Sequence, residues 1–147
     1  MITVKFAILI TYFINQPKTL QNRCEYYIIS WGHTIVEIEL SDMEGRHSEK
    51  VKALVDTGAT LTTLPKSLAD KLGIKSMHKE SVRTGAGIIT IERGEARIKL
   101  YDKEGPFKIW ISDFVDKVLL GVVVLQSLGF EVDPIGEKLK PAELLLY

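Results

Sequence analysis

The sequence predicts a mostly β fold with one or two short helices, and three observations carry that expectation. From about residue 33 onward apolar residues alternate with polar ones in short runs, the period of a strand with one face buried. Turn-forming clusters punctuate those runs: "SDMEGRHSE" at 41–49, "TGAG" at 84–87 and "KEGP" at 103–106. Helical patterning is confined to two stretches, one around Pro65 and one after Gly121, and each closes on Leu-Gly.

The whole chain sets the bounds. Its 147 residues suit one domain with a proper core, and 46% hydrophobic with 26% charged residues is a globular composition. Nineteen basic and nineteen acidic side chains cancel, so no global field draws in nucleic acid or an acidic membrane surface. Cys24 is the lone cysteine, which excludes an intrachain disulfide and fits a reducing, cytoplasmic setting. The first apolar segment, "ITVKFAILITYFIN" at 2–15, is broken by Thr3, Lys5 and Thr11 and is shorter than the roughly 20 residues of a spanning helix. It has only Lys5 as a basic start and no A-x-A site before "NQPKTLQNRC", so neither a membrane span nor a secretory leader is expected. Ile2, Val4, Phe6, Ile8, Ile10, Tyr12 and Ile14 would share one strand face. Residues 1–30 are therefore read as an N-terminal extension, either an added or interface strand or a segment outside the functional domain, and 31–147 as the domain.

Within that domain "HTIVEIEL" (33–40) alternates, with Ile35 or Val36, Ile38 and Leu40 on the apolar side, and "KVKALVD" (50–56) follows the polar turn, which makes a hairpin ending at Asp56. "TTLPKSLADKLGI" (62–74) reads as a short helix with Pro65 in its first turn, Lys66 and Asp70 spaced to pair, and Gly73 just past its end. Residues 79–114 hold three or four strand-like runs separated by "TGAG", Gly94 and "KEGP". "VLLGVVVLQSLGFEVDP" (118–134) then gives a strand reaching Gly121, a helix through Leu128, Gly129 and an extended "FEVD", and "KLKPAELLLY" (138–147) adds a further strand.

The chemistry concentrates in "LVDTGAT", residues 54–60. An apolar strand that ends on a carboxylate strips that group of hydration which only hydrogen bonds or a proton can replace. Gly58 allows a tight turn and leaves the carboxylate approachable, backbone N–H groups of the turn can hold its oxygens, and the Thr57 hydroxyl can brace the loop. Hydrolysis of a peptide without metal or nucleophile needs two carboxylates sharing one proton. Asp102, Asp113, Asp116 and Asp133 all lack the D-[ST]-G setting, so a second acid would have to come from a two-fold axis beside Asp56. Rival chemistries find little support. His33, His47 and His78 are scattered without a metal motif, "TGAGIITIERGE" lacks the lysine of a phosphate loop, and Cys24 has no motif around it, so no metal and no cofactor is expected. Trp31 and Trp110 are read as buried or interface aromatics with no role in a site.

These residues resemble the retropepsin-like aspartic proteases, the single-lobe, homodimeric relatives of pepsin, over roughly 33–147, and in particular their small microbial members. "LVDTGAT" looks like their catalytic loop and "VLLGVVVL" like their later hydrophobic-hydrophobic-Gly element, and the order of hairpin, D-T-G, helix and flap hairpin agrees. The resemblance implies a closed, barrel-like β lobe with a flap hairpin, and an aspartic endopeptidase in which water is activated between the Asp56 carboxylates of a homodimer. Thr57 would grip the opposite loop, Gly58 and Ala59 would complete the active-site loop, and Leu120 and Gly121 would support it from below. Thr84, Gly85, Ala86, Gly87 and Ile88 would form the flap tip over an extended peptide or protein substrate. Two other readings stay open: a catalytically idle dimer of this fold that binds peptides or proteins, and a structural β domain in which "DTG" is only a turn.

Overall fold

The structure is a computed structural model that describes residues 34–85 and 87–143. The expectations for residues 1–30 and for Ala86 therefore lie outside the described residues. Among the described residues nine strands and two short helices follow in order: β1 Ile35–Ser41, β2 Ser48–Val55, β3 Thr62–Pro65, α1 Lys66–Lys71, β4 His78–Thr84, β5 Gly87–Leu100, β6 Lys103–Ser112, β7 Val118–Leu120, α2 Val122–Leu128, β8 Phe130–Asp133 and β9 Lys138–Pro141.

Strand alternation decides which side chains make the core. In β1 the choice between Ile35 and Val36 falls on Val36: Val36, Ile38 and Leu40 are buried, while Ile35 is 60% exposed. Ala96, Ile98 and Leu100 of β5 and Phe107, Ile109 and Ile111 of β6 alternate inward in the same way. The hydrogen-bonded order is β1-β2-β7-β3-β6-β5-β4, and β1 also pairs with β5, which closes six strands into a barrel and leaves β4 outside as an edge. The closing register sets Leu40 opposite Ile98, both fully buried, so the seam is a core contact. β8 and β9 form a separate antiparallel pair.

Two expected boundaries move. Thr62–Pro65 is not the start of a helix but the wholly buried strand β3, which runs parallel to β6 and antiparallel to β7, and the helix begins only at Lys66. Partners on both sides outweigh the helical pattern of so short an apolar run. "KEGP" is likewise no turn: Tyr101 and Asp102 make the reversal, Tyr101 with φ +56°, and Lys103–Pro106 pair with β5. Nor does Gly94 break β5. A Cβ there would lie 3.0 Å from the Lys75 carbonyl oxygen, so the glycine admits the chain that enters β4.

Other expectations hold. Lys66 pairs with Asp70 at 2.7 Å. Both helices end on a left-handed glycine, Gly73 at φ +68° and Gly129 at φ +73°. In the β1–β2 turn the His47 N–H binds the Asp42 carboxylate at 3.0 Å and holds that group below the usual aspartate range. Lys103 Nζ donates to the Leu128 carbonyl at 2.9 Å and lies 4.8 Å over the Phe130 ring, so one cation closes the C-terminus of α2 and covers an aromatic face. Lys103→Met keeps most of the stem without the charge, and is expected to lower stability by about 1 kcal/mol in urea titrations.

Candidate active site

Asp56 stands at the end of β2, where the chain leaves the sheet. The direction of that strand comes from its neighbours: β2 runs antiparallel to β1 and parallel to β7, with Ala53, Leu54 and Val55 beside Val118, Leu119 and Leu120. The Asp56 N–H extends the second pairing by donating to the Leu120 carbonyl at 3.0 Å. Beyond Asp56 the chain turns at once, since the Ala59 N–H returns to the Asp56 carbonyl at 3.1 Å.

The loop is also stitched to α2. Val122 and Val123, in the first turn of the helix, donate their N–H groups to the carbonyls of Ala59 (2.8 Å) and Thr60 (3.2 Å). This answers two of the donors that every helix start leaves open, and α2 needs no side-chain cap. Between strand and helix, Gly121 lets two backbones touch: a Cβ on it would lie 2.5 Å from the Leu61 carbonyl carbon and 2.7 Å from the Thr62 nitrogen. The Gly121 N–H ends on the Thr62 hydroxyl at 3.0 Å, a buried bond between residues 59 apart in sequence. Thr62→Val leaves that N–H buried without an acceptor and is expected to cost about 1–3 kcal/mol in urea unfolding, whereas Thr62→Ser retains most of it.

The carboxylate is 4% exposed. Among the described residues its hydrogen-bond partner is the Gly58 N–H, 2.9 Å from Oδ1. Thr57 is exposed, and Gly58 and Ala59 are half-buried. Leu120 is fully buried next to the loop it was expected to support.

The predicted tip residues form a second group. Thr84 and Gly87 face each other at the end of the β4–β5 hairpin, the Thr84 hydroxyl donates to the Gly87 carbonyl at 3.0 Å, and Gly85 and Ile88 are exposed. A groove of about 520 Å³ lies elsewhere, between β6 and α2, and Asp56 is not part of its lining. No cluster of His, Cys, Asp or Glu able to hold a metal occurs among the described residues, and no helix among them is long and apolar enough to cross a membrane.

Sequence reasoning misses three residues, Thr62, Glu80 and Trp110. Reading residues 62–65 as the start of a helix hides Thr62. Trp110 was given no role, yet its Nε1–H donates to Glu80 Oε1 at 2.6 Å.

Residues 43–127, more than half of the chain, match the profile of the family described as "gag-polyprotein putative aspartyl protease". Among solved structures the fold is similar to EIAV protease complexed with the inhibitor HBY-793, with a TM-score of 0.53 and 19% identity over 78% of this chain and 93% of that one. It is also similar to the retroviral protease-like domain of Ddi1 from Leishmania major, with a TM-score of 0.50 and 20% identity over 76% and 90% of the two chains. A sequence comparison with curated proteins finds no match.

Proposed function

The chain belongs to the gag-polyprotein aspartyl protease family, and from that premise we propose that it is an aspartic endopeptidase which works as a homodimer. The observation that carries this reading is the setting of Asp56: a residue 4% exposed at a strand end, its Oδ1 accepting the Gly58 N–H and its loop tied to β7 and α2. A second Asp56 across a two-fold axis would supply the other acid, because two such acids side by side share one proton instead of both bearing charge.

The chemistry then follows from the pair. The ionised member takes a proton from a water held between the two, and the protonated member gives its proton to the carbonyl oxygen of the scissile bond. No covalent bond to the enzyme forms. The Leu120 carbonyl and the α2 first turn fix the loop so that the carboxylates meet in a set position. Thr57, exposed beside Asp56, would brace the opposite loop, and the β4–β5 hairpin would cover an extended peptide. The test is sedimentation of the protein together with cleavage of a mixed peptide library, from mildly acidic to neutral pH, with and without pepstatin. Dimers that cut the library support the proposal, and a monomer without cleavage at any concentration rejects it. Dimers that bind peptides without cutting them would favour the idle module.

A further inference from the structure

We propose that Glu80 is a positioning residue that sets the angle at which the β4–β5 hairpin leaves the barrel, and that Trp110 is the post to which it is tied. The inference rests on reading that hairpin as the substrate-covering flap.

The register shows where support for the hairpin ends. β5 is paired with β6 from Leu100 up to Glu92, which faces Ile111, and β6 stops at Ser112. Beyond that step, Gly87–Ile91 pair only with β4 among the described residues, with Glu80 opposite Ile91 and Thr84 opposite Gly87. A two-stranded arm is barely stable by itself, so its direction is set at its root. Ile91, 6% exposed, is the last residue of the arm sunk into the body of the protein.

Glu80 acts at that level. Its Oε1 accepts from Trp110 Nε1 at 2.6 Å, and its Oε2 lies 3.4 Å from the Arg93 guanidinium. Arg93 and Trp110 are cross-strand neighbours on β5 and β6, so the carboxylate reaches from the edge strand over β5 to the third strand. The neighbouring ion pairs differ in reach: Lys108 with Glu95 and Arg97 with Glu104 each join only β5 to β6. Both partners of Glu80 make charge-assisted bonds in a half-buried setting, where they are stronger than at an open surface. The Arg93 Nε is buried and has no partner among the described residues. The main chain of Arg93 also holds the entry to β4, accepting the Met77 N–H at 2.7 Å. The root is therefore held by backbone pairing with β5, by the buried Ile91 and by one side-chain strut, and the strut is the part a single polar substitution removes.

Loosening the strut acts on the binding of an extended peptide before it acts on the chemical step, because the arm orders around substrate while the Asp56 loop is held from the other side by β7 and α2. The experiment uses the full chain and the variants Glu80→Ala, Glu80→Gln and Trp110→Phe, read by amide hydrogen exchange and by peptide cleavage. Glu80→Ala and Trp110→Phe are expected to speed exchange over residues 82–91 by about tenfold, with protection of β1 and β2 unchanged. KM should rise several-fold with a smaller change in kcat, and Glu80→Gln, which keeps an acceptor for the indole, should recover part of both effects. Unchanged exchange in the arm, or equal loosening of arm and barrel, overturns the inference. If the wild type cuts no peptide while the arm still responds, the strut stands and the protease proposal falls.

Discussion

Asp56→Asn is expected to abolish peptide cleavage, lowering kcat/KM by at least about 10³-fold, while dimerisation is kept. The amide matches the carboxylate in shape and retains an oxygen for the Gly58 N–H, so the loop has no reason to move. What it loses is the ability to take a proton from water, and with it the shared proton of the pair. Stability should hold, because the amide keeps the shape of the side chain and the acceptor for the Gly58 N–H. Activity against the best library peptide, sedimentation and a thermal melt therefore form one test. A variant that cuts as fast as the wild type ends the case for Asp56 as the acid. A variant that melts far lower shows that Asp56 mainly holds the turn.

Gly121→Ala is the second large effect expected, and its cause is contact, not conformation. Gly121 has φ −79° and ψ 163°, values open to any residue. The added methyl, however, would stand 2.5, 2.7 and 2.8 Å from the carbonyl carbon of Leu61, the nitrogen of Thr62 and the oxygen of Leu61, all main-chain atoms. No rotamer relieves such a clash, so β3 and α2 must separate. The predicted loss is roughly 3–5 kcal/mol, or a melting temperature lower by about 10 °C or more. Any folded protein that remains should cleave poorly, because the same separation breaks the bonds from Val122 and Val123 to the Asp56 loop. Gly105→Ala is the control: its Cβ would meet the Phe107 side chain at 3.4 Å, an ordinary contact, and should leave the melt close to that of the wild type.

What the sequence revealed, and what it hid, follows from the range of the forces involved. The alternation of "IVEIEL" and "ARIKL" is local, and it marked the inward faces of β1 and β5, apart from the choice between Ile35 and Val36, which only a partner strand decides. Asp56 was legible because a charge after an apolar run is out of place locally. Thr62–Pro65 was misread because its strand character comes from β6 and β7, which lie far along the chain. Thr62 and Glu80 were missed for the same reason, since each is given its meaning by a partner brought close only by the fold: Gly121 for one, Trp110 for the other. The parallel pairing of β2 with β7, which aims Asp56, has no signature in either strand by itself.

That late pairing bears on when Asp56 takes its place during synthesis. Leu120, Val122 and Val123 are translated long after Asp56, so the bonds from β7 and α2 to its loop form late. A chain ending before β7 would carry Asp56 without the bonds that Leu120, Val122 and Val123 give its loop. For the proposed enzyme, the order of synthesis thus delays competence until α2 has been made.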